Sequence, residues 1–310
     1  MHNGLIHRCL RVALGLLMAV TLPSTHASVM IAVSEGNRDY AEVAESVKQS
    51  LQRSDASLEV TVRPWGEVNR GLPSQVRLIV SIGSPALSGL ADAAASGRIG
   101  RVPVVAALLP RSVFETQRSR MPGPATAVVL DQPLARQLAL LRYAFPQMRR
   151  IGVLLGPDSQ QHQAGLEKAA QEQGLQLGIY RVEGEATLYP ALQRVLDESD
   201  LLLAIPDAAV YNGGSVQNVL LAAYRQKVPL MGFSPAYVRA GALLALYSTP
   251  NQIGTQTARL VRTVLSGAAV PAMQYPTDFT VGVNANVARS LGFRLSEDAL
   301  RIQLLGREGM

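Results

Sequence analysis

Residues 201–293 decide the fold, through the segments LLLAIPDAAVYN (201–212), VPLMGFSPAYVRAGALLALYS (228–248) and VGVNANVARSLGF (281–293). The apolar runs of the first two segments suit buried strands, and each run ends in a polar loop that begins a helix. In open parallel sheets, small ligands bind where the carboxyl ends of the strands open into such loops. The stretch therefore predicts an α/β protein that binds a ligand.

The same alternation of strand, loop and helix extends over the rest of the chain. Strands that are apolar on both faces and separated by helices indicate a parallel sheet covered on both sides. We predict strands at 29–33, 58–62, 77–82, 102–109 and 125–130 and, after the pattern restarts, at 150–155, 175–182, 200–205, 228–233 and 242–248. Two such sets predict two doubly wound parallel-sheet lobes joined by a hinge.

We expect the first lobe to contain residues 28–128 plus about 248–275, and the second lobe to contain residues 129–247. A predicted helix at 251–265 follows the second set of strands, which suggests that the chain returns to the first lobe. The sequence does not assign residues 276–310 to either lobe. About 280 residues after the N-terminal segment are many for one core but enough for two.

Residues 1–27 have the pattern of a secretory signal. The pattern consists of two arginines, a short apolar run and two small residues at the cleavage site: Arg8, Arg11, VALGLLMAVTL (12–22), Thr25 and Ala27. The apolar run is too short to span a bilayer, although a single membrane anchor remains the alternative. Cleavage predicts a periplasmic protein that begins near Ser28.

Composition argues against several classes of chemistry. The single cysteine, Cys9, lies in the predicted signal, which leaves no disulfide or cysteine metal site afterwards. His162 is the one histidine beyond the signal, and we expect it at the surface in the first turn of a helix. The net charge of +6 falls to +4 without Arg8 and Arg11, and the basic residues are scattered, so no nucleic-acid partner is expected.

The sequence also lacks the motifs of the common enzyme classes. It has no dinucleotide-binding glycine fingerprint, no P-loop and no zinc-hydrolase helix. GFSPA (232–236) is close to a nucleophile elbow but lacks its second glycine, and a catalytic triad would have to use His162. We therefore expect that the protein is not an enzyme and that it binds neither a cofactor nor a metal ion.

Five loops that follow predicted strands form the candidate site. They are Ser34-Glu35-Gly36-Asn37, Gly83-Ser84, Gly156-Pro157-Asp158-Ser159, Pro206-Asp207 and Phe233-Ser234. Free N–H groups at helix starts favour an anion such as a carboxylate. Ordinary N-capping is the better explanation of any one loop alone, but equivalent places in two lobes favour a ligand cleft. Asp131 either caps the next helix or meets the ligand, and Tyr247 lies either in the core or in the pocket.

Several longer pieces of the chain carry a family resemblance: LIVSIGSPAL (78–87), the run 128–159, LLLAIPDAAVYN, the run 228–267 and GVNANVARSLGF (282–293). In this order they resemble the periplasmic substrate-binding components of ABC transporters with the type I two-lobe fold. Within these, the chain is similar to the group that includes tryptophan- and tyrosine-binding members. The resemblance covers most of the chain after the signal.

The resemblance implies ligand contacts at Ser84, Asp131, Asp207 and Ser234. Two departures leave the ligand open. The family usually has Asp-Pro after the fourth strand, where this chain has Leu109-Pro110-Arg111, and the loop at 34–37 is atypical.

The leading hypothesis is an exported, monomeric solute-binding protein whose lobes close over an amino-acid-like ligand and deliver it to an ABC permease. Asp131 and Asp207 would bind the ammonium group of the ligand. The helix starts near Ser84 and Ser159 would bind its carboxylate. The alternative is a sensory module of the same fold that presents the solute to a membrane receptor or kinase.

Overall fold

The computed structural model describes residues 28–68, 71–73 and 75–308, so the predicted signal at 1–27 lies outside the described residues. Two separate β-sheets, each with a hydrophobic cluster under the helices on either face, form two lobes. This arrangement confirms the predicted α/β class with two parallel-sheet lobes.

The first lobe is built on five parallel strands. These are β1 (Ser28–Val33), β2 (Glu59–Pro64), β3 (Val76–Ile82), β4 (Val104–Ala107) and β5 (Ala125–Val128), in the order β2-β1-β3-β4-β5. The helices along this part of the chain are α1 (Arg38–Ser54), α2 (Trp65–Val68), α3 (Ser84–Ala95) and α4 (Arg111–Arg118). Successive residues of β3 enter opposite core clusters, Leu78 on one face and Ile79 on the other. A sheet covered on both faces therefore explains the uninterrupted apolar runs.

The second lobe contains six strands. These are β6 (Arg150–Leu155), β7 (Gln176–Arg181), β8 (Leu201–Leu203), β9 (Leu230–Gly232), β10 (Leu244–Tyr247) and β11 (Thr280–Val283), in the order β11-β10-β9-β8-β6-β7. All pairs are parallel except β10 with β11. The remaining helices are α5 (Leu134–Ala144), α6 (Gln163–Glu172), α7 (Glu185–Glu198), α8 (Val216–Arg225), α9 (Pro235–Ala240), α10 (Pro250–Leu265), α11 (Ala285–Ser290) and α12 (Glu297–Glu308).

The described chain passes between the lobes three times, at 129–133, 248–249 and 276–279. After the second crossing, α10 packs on α1 of the first lobe. The contact is close, because a methyl group on Gly254 would lie 2.5 Å from Ser46 Cβ. Helix α10 therefore belongs to the core of the first lobe, although it follows ten strands in sequence.

The third crossing carries the C-terminal segment to the second lobe. Gln274 first runs beside β5, where its N–H donates to the Ala127 carbonyl at 2.8 Å. The chain then forms β11 against β10, and Leu300 and Leu304 of α12 are buried in the cluster beneath α5.

Element ends differ from the sequence-based predictions where local backbone geometry intervenes. The strand predicted at 102–109 is shorter, because Leu108 has φ = +57°, outside the β region. Helix α5 begins at Leu134 instead of 132, because Pro133 occupies its N-cap with ψ = 131°. Helix α4 and strand β11, which the sequence analysis does not predict, are short elements of eight and four residues.

Candidate functional site

The candidate site residues lie at the carboxyl ends of strands in both lobes. Those of the first lobe are Ser34 after β1, Gly83 and Ser84 after β3, and Asp131 after β5; those of the second lobe are Asp158 and Ser159 after β6, Asp207 after β8, Ser234 after β9, and Tyr247 at the end of β10. The first two crossings also leave from carboxyl ends, those of β5 and β10. The carboxyl edges of the two sheets therefore both adjoin the crossings, and we call the space between these edges the candidate cleft, or the cleft for short.

One corner of the cleft is formed by the loops after β1 and β3. Ser34 is buried, and its Oγ accepts a hydrogen bond from Ala86 N at 2.9 Å, so it caps α3. Gly83 has φ = +87°, and a methyl group on it would lie 2.7 Å from Ser34 Oγ and from the Tyr40 ring. Only glycine fits there. The half-buried Ser84 then occupies the first turn of α3 at the cleft surface.

Asp131 lies on the first crossing and contacts the start of α4. Its Oδ2 accepts a hydrogen bond from Arg111 N at 2.7 Å. The Arg111 guanidinium donates to Glu115 at 2.6 Å and to the Tyr275 hydroxyl at 2.8 Å, and these hydrogen bonds raise the Arg111 pKa. A carboxylate at a helix N-terminus is favourable, so Asp131 caps α4, the helix after the departure at Leu109-Pro110-Arg111.

In the second lobe, Asp207 and Ser159 are joined to each other. Asp207 is 5% exposed, and its Oδ2 accepts hydrogen bonds from Ser159 N at 2.9 Å and Ser159 Oγ at 2.8 Å. Its Oδ1 accepts a third from Ala209 N at 2.9 Å. Asp158, in contrast, is exposed and accepts one longer bond, from Ala208 N at 3.3 Å. The Asp207 carboxylate therefore holds two cleft loops together.

Ser234 and Tyr247 are both half-buried, but their side chains have different surroundings. Ser234 is the N-cap of α9, and no side-chain capping bond is formed there. The Tyr247 ring lies over Gly282 of β11, whose Cβ position would be 3.2 Å from Tyr247 Cε1. Tyr247 is paired with Thr280, two residues before Gly282, so its ring lies along the sheet over β11. Burial raises the pKa of the Tyr247 hydroxyl.

His162, expected at the surface, is half-buried and faces the first lobe. A methyl group on Gly165, one turn later, would lie 2.9 Å from Leu134 Cδ1, which places the start of α6 beside the first crossing. Burial lowers the His162 pKa, while the charge of Asp131 raises it and that of Arg111 lowers it. A histidine of the second lobe therefore lies within electrostatic reach of two cleft residues of the first.

The family model described as ABC transporter substrate binding protein matches residues 36–303. The chain belongs to this family. Such substrate-binding proteins normally act outside the cytoplasm and are not enzymes.

Solved structures share the fold of this substrate-binding protein. A ligand-free, open substrate-binding protein with adhesive properties from Clostridium difficile has a TM-score of 0.69 and 14% identity, covering 88% of this chain and 97% of that one. An ABC domain from Streptococcus pneumonia in complex with L-Trp has a TM-score of 0.60 and 18% identity, covering 89% and 97%. A solute-binding protein from Actinobacillus succinogenes with bound D-allose has a TM-score of 0.50 and 14% identity, covering 84% and 99%. A search of the curated proteins finds no match.

The crossings of the substrate-binding protein are linked by a polar network. Ser248 Oγ accepts from Gln132 Nε2 at 2.9 Å and donates to the Asp278 carbonyl at 2.7 Å, which joins all three segments. Buried Arg136 donates to Gln132 Oε1 and to the Pro276 carbonyl. Its guanidinium also lies 4.5 Å from the centre of the Phe279 ring, a cation–π distance. These residues form the joint between the lobes.

An aromatic group lies beneath the cleft loops of the second lobe. Tyr211 and Phe233 are 6.1 Å apart at their ring centres, and Phe233 and Tyr237 are 4.4 Å apart. Burial raises the pKa of Tyr237 to about 12 and raises that of Tyr211 as well. Among the described residues, the buried Tyr211 hydroxyl has no hydrogen-bond partner.

The sequence analysis does not predict the contacts of Tyr40 and Arg111 or the polar network of the joint. The departure at 109–111, together with the predicted site residue Asp131, is the sequence signal that points to Arg111. The described residues contain no group of three or more His, Cys, Asp or Glu side chains suited to a metal ion. Among their helices, none combines the length and apolarity that crossing a membrane requires.

Proposed function

We propose that this substrate-binding protein binds an amino-acid-like solute between its lobes and delivers it to an ABC permease. The observation that carries the proposal is the pair of carboxyl edges bordering one cleft, joined by three linked crossings. A cleft of this kind can close by a hinge movement that buries the ligand. The ligand shifts the population toward the closed form by its extra contacts there.

The first lobe would supply the main polar contacts. Ser84 offers its hydroxyl and its own N–H to a carboxylate, since Ser34 already caps Ala86 N and Pro85 has no N–H. Oδ2 of Asp131 accepts the hydrogen bond from Arg111 N at the start of α4, and Oδ1 would accept one from the ammonium group of the ligand. The L-Trp complex of the Streptococcus pneumonia protein supports an amino-acid-like ligand, and the D-allose complex shows that the fold also accommodates other solutes.

The second lobe would close over the other side of the ligand. Asp158 and Ser234 stand on its rim, while Ser159 and Asp207 are proposed to hold the loops that carry them. On the first lobe, Ser34 and Gly83 serve in the same way, by shaping the start of α3. We place Tyr247 at the end of β10 as a boundary of the cleft.

The proposal includes export and the absence of catalysis. Residues 1–27 would be removed on export to the periplasm, where the protein would act as a monomer. The motif analysis, with one histidine beyond the signal, supports binding without chemical conversion.

A ligand screen tests the binding function. The exported protein is heated with single amino acids, short peptides, nucleosides and sugars. A ligand at a hundred times its Kd adds about 2.7 kcal/mol to the free energy of unfolding, which gives a clear rise in Tm. A shift with amino acids alone supports the proposal, and a shift with sugars alone contradicts the proposed ligand class.

Calorimetry with the identified ligand tests the role of Asp131. Asp131→Asn retains an acceptor for α4 but loses the charge, and we expect binding to weaken by about 2–5 kcal/mol. Asp197→Asn, at an exposed position of α7, is the control and should bind like wild type. Unchanged affinity of the Asp131 variant would remove this residue from the site.

A sensory role is the second candidate. The departure at Leu109-Pro110 favours it, because the family usually has Asp-Pro in this part of the first-lobe wall. A sensor would be recovered from membranes with a receptor or kinase, whereas a transport protein would be recovered with a permease, so affinity purification of the ligand-loaded protein distinguishes the two.

A further inference from the structure

Five arginines lie at the edge of the first lobe opposite the cleft. Arg77 lies at the start of β3, Arg98 and Arg101 lie before β4, and Arg118 and Arg120 lie before β5. All five side chains are exposed. Since β3, β4 and β5 are parallel neighbours, their amino ends meet at one edge of the sheet. We call these five residues the basic edge.

Backbone contacts hold the segments of the basic edge side by side. Ile79 N donates to the Pro103 carbonyl at 3.0 Å, and Val104 N donates to the Pro124 carbonyl at 3.0 Å. A methyl group on Gly123 would lie 3.0 Å from the main-chain carbonyl of Arg101. The arginines therefore project from one continuous surface.

Acidic groups do little to neutralise this surface. Asp92 forms an ion pair with Arg120. Glu115 is paired with Arg111 at the opposite end of α4, toward the cleft. Farther along the same edge, Glu59 begins β2, so the positive surface ends between β3 and β2. Among the described residues at the starts of β3, β4 and β5, five arginines thus stand against one aspartate.

The start of the described chain lies at this same edge. Ser28 opens β1, which is parallel to β3 and adjacent to it. In the sequence, the apolar run 12–22 precedes Ser28 by only five residues. The amino edge of the first lobe is therefore the part of the described chain that lies nearest in sequence to this run.

We propose that the basic edge binds the surface of an anionic phospholipid bilayer. Guanidinium groups match phosphate oxygens in paired hydrogen bonds. Each arginine near an anionic membrane raises the partition coefficient of the protein onto that membrane about fivefold. The opposite edge, with the cleft, then faces the solution. This interaction is independent of the ligand and of the permease.

Vesicle co-sedimentation tests the proposal with the exported protein. Vesicles of phosphatidylglycerol and phosphatidylcholine should bind it at low salt and release it at high salt, as the Debye length shortens. Vesicles of phosphatidylcholine alone should not bind it. The double variant Arg77→Gln with Arg101→Gln should lower the partition coefficient about 30-fold.

A matched variant controls for net charge. Arg289→Gln with Arg294→Gln removes two exposed charges from the second lobe and should change binding less than about twofold. Thermal unfolding checks both variants, and Arg98→Gln with Arg118→Gln provides a second disruption of the basic edge. Binding to uncharged vesicles, equal losses in the edge and control variants, or no binding of wild type at low salt would each overturn the proposal.

Discussion

Replacing Asp207 by alanine separates support of the cleft loops from direct ligand binding. The carboxylate is almost fully buried and accepts three hydrogen bonds, from Ser159 N, Ser159 Oγ and Ala209 N, at 2.8 to 2.9 Å. Leaving a buried donor without an acceptor costs about 1–3 kcal/mol. The Ser159 hydroxyl can turn to the Gly156 carbonyl, but the N–H groups of Ser159 and Ala209 lose their acceptor. We therefore expect Asp207→Ala to lower the free energy of unfolding by about 3–5 kcal/mol.

Urea unfolding followed by circular dichroism measures this loss. Asp158→Ala is the control, because this exposed carboxylate precedes Ser159 and accepts one bond of 3.3 Å. Its cost should stay below about 0.5 kcal/mol. A loss below about 1 kcal/mol in the Asp207 variant, or equal losses in the two variants, would refute a supporting role for Asp207.

Three further predictions concern the backbone, a surface carboxylate and the cleft histidine. Gly83→Ala combines a positive φ with a clash and should cost about 2–4 kcal/mol in urea unfolding, against about 1 kcal/mol for Gly97→Ala, where φ is +78° but the space is open. Burial tends to raise the Asp200 pKa, but hydrogen bonds from two arginines prevail and lower it below 3.8. Its stabilising effect is therefore present above that pH and lost as the pH falls, so Asp200→Asn should flatten the stability profile below about pH 4, and an unchanged slope would contradict this. In NMR titration His162 should have a pKa below 6.5, mainly through burial, and Asp131→Asn should lower it further; an unchanged pKa would place the two residues apart.

Most of the fold could be predicted from the sequence, because apolar runs such as Arg150–Leu155 report burial on both faces of a sheet. The positions of the cleft loops followed from topology, since parallel strands bring their carboxyl ends to one edge. Strand ends were less predictable. The positive φ of Leu108 depends on its tertiary surroundings, and the residue type gives no sign of it.

The partners of the site residues could not be predicted. Ser248 joins Gln132 to Asp278 across more than a hundred residues of sequence, and nothing local marks such a polar side chain as part of a joint. Asp207 is predicted as a loop residue that follows a strand, but two of its three donors belong to Ser159 and depend on how β6 and β8 are aligned. Contacts between distant loops are set by packing, which single-sequence patterns do not record.

The position of α10 has a consequence for the order of folding. Ile253, Val261 and Val264 complete a core cluster that begins with Val29 of β1, so the first lobe cannot close before about residue 265 has been synthesised. Contacts of such long sequence separation form late. The first lobe of a nascent chain therefore stays incomplete while most of the chain is made, which suits the proposed export through a membrane pore that admits only unfolded polypeptide.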